Sequence, residues 1–170
     1  MPVRNETLFK WSLYAAATAL VFLVQGLALR HVELWGVFPF LFPVLTAVLG
    51  MYEGGVRGVT YGLVIGVLCD LTLAGPLPCF YTLALPLTGL AAALISGGLV
   101  SAGFLCSIIC SAVAFAVTDG FHCLLLLLDG QSVWPSAALL AGRETAVSLL
   151  FLPLVFFPFR AIFRRCHVDD

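Results

Sequence analysis

Along the 170 residues, polar and charged positions do not alternate with apolar ones at either the helical or the strand period. They gather instead in short breaks between long apolar runs. A helix needs about 20 apolar residues, within a range of roughly 17–25, to cross a bilayer. Six runs meet that length, at about 11–29, 34–52, 58–74, 79–100, 103–128 and 136–157. The breaks carry turn chemistry: "RHVE" after the first run, "EGGVR" after the second, "GPLP" after the third, "SAG" after the fourth and "DGQSVWP" after the fifth. The pattern predicts an all-α integral membrane protein, one transmembrane domain of six helices over residues 1–170. No connection is long enough to hold a soluble domain, and no internal repeat is visible.

Composition sharpens this picture. The chain is 62% hydrophobic and 10% charged, with a mean hydropathy of +1.11. Soluble domains carry about 25% charged residues, so this chain lacks the polar surface to cover a globule in water. A net charge of −1 leaves no footprint for nucleic acid. The first run is longer than a signal-peptide core and the remainder is equally apolar, which predicts a retained helix.

Lys and Arg set the orientation. With six spans both termini share a side, and that side holds Arg4, Lys10, Arg57, Arg160, Arg164 and Arg165, against Arg30 opposite. The termini are expected in the cytoplasm. The "RAIFRR" tail reads as a stop-transfer anchor or as a contact for anionic lipid.

The six cysteines show no C-x-x-C pair and lie mostly within apolar runs. They read as small packing residues rather than as a disulfide framework or a metal site. No cofactor or hydrolase motif occurs. The expected catalytic, cofactor and metal sets are therefore empty.

Two features stand out inside the apolar runs. Gly58, Gly62, Gly66 and Asp70 lie on one i+4 row. Apolar side chains gain little by exchanging lipid for protein, so membrane helices associate where small residues let backbones approach. Related rows are Gly89, Ala93 and Gly97, then Ala112, Ala116 and Gly120, and more weakly Ala15 and Ala19. The second feature is charge. Asp70, Asp119, Arg143 and Glu144 fall within runs, with His122 nearby. A charge at the bilayer centre costs about 2.5–3.5 kcal/mol on the milder scales, so these groups should face the bundle interior and pair. From the helical rise, Asp119 lies about 13 Å and Arg143 about 12 Å below the outer surface, and Asp70 about 6 Å. Asp119 and Arg143 are the expected pair. Glu144 points about 100° from Arg143 and needs another partner. These charges read as internal struts, as a proton or substrate path, or as a surface for a partner helix.

The stretch "GGVRGVTYGLVIGVLCDLTLAGPLPCFYTLALPLTGLAAAL" resembles the bacterial rod shape-determining MreD family. That family carries G-x-x-x-G-[FL]-x-x-G-x-x-x-D-[LI], matched by Gly58, Gly62, Leu63, Gly66, Asp70 and Leu71. "VTDGFHCLLLL" is similar to its fifth helix, with Asp119 at the acidic position, and "LLFLPLVFFPFRAIFRR" to its last. "FPVLTAVLGMYEG" supplies a proline in the second helix. The chain departs from the pattern at Leu77-Pro78, where the family usually has Leu-Gly. Arg143-Glu144 matches no family feature. The resemblance implies a non-enzymatic, multi-pass protein of the bacterial plasma membrane, part of the cell-elongation machinery that regulates peptidoglycan synthesis. Its implied partners are an MreC-like protein, MreB, RodA and a class B penicillin-binding protein, besides membrane lipids. It also implies a fold similar to the S-components of energy-coupling factor vitamin transporters. Such an S-component is the alternative function. A membrane-embedded enzyme would have only Asp119, His122 and Arg143 to work with.

Overall fold

The structure, a computed structural model, describes residues 3–73, 77–98, 103–128, 130 and 134–166. Among them are seven α-helices and no strand: α1 (Val3–Leu27), α2 (Phe42–Glu53), α3 (Gly55–Thr72), α4 (Phe80–Gly98), α5 (Phe104–Leu128), α6 (Trp134–Leu150) and α7 (Leu152–Cys166). Four helices are long and apolar enough to cross a membrane, within α1, α3, α4 and α5. The segments Ser136–Leu150 and Leu152–Arg165, bent by 48° at their junction, make a fifth if taken as one span. The chain is thus a multi-pass membrane protein.

Six uninterrupted spans do not form, and the reasons are local. The second expected span, from residue 34 to 52, starts as a helix only at Phe42. Pro39 and Pro43 stand four residues apart. A helix through both would lose two amide donors, and the ring of Pro43 would strike the carbonyl of Pro39. Pro43 is tolerated because it lies in the first turn of α2. Upstream, Trp35 (φ 56°) and Gly36 (φ 77°) form a tight turn in which Leu34 and Val37 exchange backbone hydrogen bonds of 3.0 and 3.1 Å. The 12 residues of α2 reach about 18 Å, short of a hydrocarbon core of about 30 Å. The last expected span breaks at Phe151. Pro153 removes a donor there, and i→i+3 bonds from Phe151 to Ser148 and from Leu154 to Phe151 take over.

Short as it is, α2 is the centre of the molecule. Every residue from Phe42 to Met51 is buried, and α3, α4, α5 and α7 surround it. A helix that is apolar all round belongs inside. Its buried hydroxyl, Thr46, bonds Thr88 of α4 at 2.7 Å.

The non-helical lead-in to α2 carries backbone groups that lipid cannot satisfy. Side chains from two helices do so. Gln25 of α1 donates Nε2 to the Pro39 carbonyl (2.7 Å) and accepts the Leu41 amide on Oε1 (3.0 Å). Ser148 of α6 accepts the Phe40 amide at 2.9 Å.

At the opposite end of α2, the buried Glu53 carboxylate is held by Lys10 (2.6 Å), the Tyr14 hydroxyl (2.9 Å) and Arg57 (3.2 Å). Tyr14 stacks on Phe159 of α7 at 5.7 Å, and Tyr52 stacks on Phe163 at 4.7 Å. The start of α1 and the end of α7 therefore meet at one end of the bundle.

Replacing Gln25 by Leu leaves the Pro39 carbonyl and the Leu41 amide without their partner. The expected loss is about 1–3 kcal/mol, read by denaturant or thermal unfolding in detergent. Unchanged stability would show that these two groups find other donors and acceptors.

Candidate functional site

The row Gly58, Gly62, Gly66 and Asp70 forms a seam between α3 and α4, the most extensive helix contact among the described residues. The ladder brings backbone against backbone. A Cβ placed on Gly62 would sit 2.6 Å from the Leu85 carbonyl oxygen and 2.9 Å from Pro86 Cα. One on Gly66 would sit 2.5 Å from the Tyr81 oxygen and 2.7 Å from Thr82 Cα. At the lower end three glycines of three helices converge. A Cβ on Gly58 would lie 2.8 Å from Gly50 Cα of α2, and one on Gly89 2.5 Å from the Gly58 oxygen. Gly50 would meet the Gly89 oxygen closer still. No side chain larger than hydrogen fits along this line.

Asp70 ends the row with a different task. Its Oδ1 accepts the Tyr81 amide at 3.0 Å, and its Oδ2 accepts the Thr82 amide at 2.8 Å and the Thr82 hydroxyl at 2.5 Å. Tyr81 and Thr82 are the second and third residues of α4. Their amides are among the four that a helix start leaves unsatisfied. An N-cap side chain normally serves them. Here Cys79, just before α4, offers only a thiol and is held at φ 65°. The neighbouring helix supplies the cap instead. The carboxylate also sits at the positive end of the α4 dipole. Glycine ladder and aspartate are thus one device. The glycines bring α3 close enough for a short side chain to reach the start of α4.

The other intramembrane charges are arranged differently from the sequence-based expectation. Asp119 and Arg143 do not pair. The ion pairs among the described residues are Lys10–Glu53 and Arg57–Glu53. Arg143 is exposed, whereas Glu144, one residue on, is half-buried. The rotation of α6 turns Glu144 inward. It comes within electrostatic reach of Asp119, and Tyr81 lies within reach of Asp70, Asp119 and Glu144 together. Three carboxylates therefore share the end of the bundle where α4 starts. His122 is exposed, its ring T-shaped to that of Phe80 with centroids 6.2 Å apart.

The remaining small-residue rows do not form seams of this kind along their length. Gly97 and Gly120 have nothing within 4 Å of a Cβ, and Ala116 is exposed. Among the glycines of these rows only Gly89 enters a close contact. Ala15 and Ala19 line a groove of about 560 Å³ between α1 and α3, with Phe22, Tyr61 and Ile65. Thr18 and Tyr61, in its wall, share a hydroxyl hydrogen bond. Two further hollows flank the lead-in to α2. One, of about 620 Å³, is bounded by Gln25, Phe38 and Thr72; the other, of about 300 Å³, by Gln25, Phe40 and Glu144.

Sequence reasoning missed the Glu53 cluster. Lys10 and Glu53 lie beside the ends of adjacent apolar runs that share one side in the six-span expectation, which was the available signal. It also missed Gln25, a lone amide in the first run, four residues from its end.

Comparison of the chain with family models, with curated proteins and with solved structures returns no match.

Gly62→Ala and Gly66→Ala should each cost about 1–3 kcal/mol, because the methyl group meets backbone rather than a yielding side chain. Gly97→Ala, in open space, should be neutral or gain up to about 1 kcal/mol from helix propensity. Equal effects at all three positions in an unfolding assay would remove the seam. Asp70→Ala should cost about 1–2 kcal/mol, the range for a lost cap. Hydrogen exchange should show it as faster exchange of the Tyr81 and Thr82 amides. Protection equal to that of the unsubstituted protein would show that these amides do not depend on Asp70.

Proposed function

We propose that this chain is a non-enzymatic, MreD-like scaffold of the bacterial plasma membrane that helps maintain rod shape by holding membrane partners of the peptidoglycan-synthesis machinery. One observation carries the reading. The residues shared with the MreD pattern, Gly58, Gly62, Gly66 and Asp70, all act in a single packing device, the α3–α4 seam and its cap. A pattern kept for such a seam specifies a rigid body for others to dock on. The partners would be an MreC-like protein first, then MreB, RodA and a class B penicillin-binding protein. In this reading α2 and its extended lead-in together make a sixth crossing, so that both termini face the cytoplasm. Reporter fusions at residue 170 should then read as cytoplasmic and fusions at Gly130 as external; the opposite result would sink the six-crossing topology.

A second reading is favoured by the hollows beside Gln25, one of which has Glu144 in its wall. They would suit an S-component that binds a small molecule. One experiment separates the two. Affinity capture from mild detergent, followed by mass spectrometry, should recover an MreC-like protein, and depletion should turn rod-shaped cells round or wide. Recovery of a coupling subunit with two ATPases, together with a new vitamin requirement at unchanged shape, would overturn the first reading.

A further inference from the structure

The end of the bundle where α1 starts and α7 finishes carries more cationic charge than its described carboxylates neutralise. Glu53 is engaged by Lys10, Tyr14 and Arg57. Among the described residues no carboxylate pairs with Arg160 or Arg164, and both are exposed. They stand one helical turn apart on α7, about 6 Å along its axis. Both lie within electrostatic reach of the Tyr52 phenol on α2. The Tyr52 ring is fixed by its stack on Phe163, and the Arg160 guanidinium lies over the Phe156 ring at 5.6 Å. Two guanidiniums of α7 therefore lie within electrostatic reach of one hydroxyl of α2, with the Tyr52 ring and Arg160 each held by an aromatic contact.

The surface beside them changes character along the helix axis. Phe157 and Leu154, about one and two turns deeper on the same side of α7, are exposed and apolar, at 61% and 47%. Read from the bundle end inward, this side is cationic and then greasy. That order matches an amphiphile lying along α7, with an anionic head at Arg160 and Arg164 and a chain over Phe157 and Leu154. A soluble anion or an acidic peptide would use only the first half.

We propose that Tyr52, Arg160 and Arg164 form a seat for the phosphate of a monoanionic phospholipid in the leaflet at this end. Guanidinium forks fit phosphate oxygens with paired hydrogen bonds, and the phenol adds a third donor at the depth where tyrosine is enriched. Arg57 and Arg165 contribute only diffuse attraction, since Arg57 is tied to Glu53.

The test uses the full chain in bilayer discs of equal phosphatidylglycerol and phosphatidylcholine, released gently and weighed by native mass spectrometry. The protein should retain phosphatidylglycerol preferentially. Arg160→Gln and Arg164→Gln should each lower that preference about fivefold. Tyr52→Phe should lower it less, and Arg165→Gln should leave it near its starting value. Excess inorganic phosphate should not displace the lipid. Lysine at both arginine positions keeps the charge, loses the planar fork, and should give an intermediate preference even if the glutamine variants fold poorly. Equal retention of the two lipids, an effect of Arg165→Gln as large as that of Arg160→Gln, full retention with lysine, or displacement by phosphate would each overturn the proposal.

Discussion

Hydrocarbon offers no hydrogen bonds, so every peptide group at membrane depth must find its partner within the protein. The regular helices meet this requirement by themselves. The places where they stop do not, and there the structure spends its few polar side chains. Gln25 and Ser148 hold the lead-in to α2, and Asp70 holds the first amides of α4. Thr46 and Thr88, which satisfy each other, make the same point in the core. Most of these groups would look out of place in an apolar run. Each becomes intelligible once the nearest helix end or proline break is located.

The same constraint explains why glycine and aspartate occur together. A carboxylate on one helix can cap the next only if the two backbones lie nearly in contact, because Asp has a single methylene of reach. The ladder from Gly58 to Gly66 provides that approach. Apolar packing alone would not favour it over lipid. Bringing a charge inward costs energy, but three donors meet this one, two of them from a helix start whose dipole favours an anion. Among the described residues Asp119 and Glu144 gain no comparable set and form no ion pair, although each lies within electrostatic reach of the other. Of the intramembrane carboxylates, Asp70 has the clearest structural role.

The limits of the sequence follow from the same physics. The helix lengths of α3, α4 and α5 were legible, because unbroken apolar runs bounded by turn residues leave little choice. The row Gly58, Gly62, Gly66 and Asp70 was legible as a contact, since its period lies along one helix face. What it touches was not, and rows of similar spelling at Gly97 and Gly120 turn out to face open space. Depth along a helix can be counted from sequence, which matched Asp119 with Arg143. Rotation about the axis depends on neighbours that the sequence does not order, and that rotation brings Glu144 inward instead. The prolines at 39, 43 and 153 were visible, yet their outcome depended on whether other helices could take up the freed backbone groups. A run of apolar residues records only that water is absent, not that the helix continues.

Those pins divide the molecule into parts that are held differently. α2, α3, α4 and α5 form a body closed by backbone contact at Gly50, Gly58 and Gly89 and by a buried helix at its centre. Such a contact has no soft side chain to yield, so this body resists shear. α1 and α6 are attached otherwise. α1 leans chiefly on α7 and reaches α2 and its lead-in through the polar side chains of Lys10, Tyr14 and Gln25, while α6 reaches that lead-in through Ser148. Hydrogen bonds between side chain and backbone can exchange partners at little cost when a neighbour approaches, whereas a glycine seam cannot open without losing its whole length. Displacement by a bound partner would therefore be taken up at α1 and at the bent α6–α7 pair, with the glycine-seamed body moving as one piece.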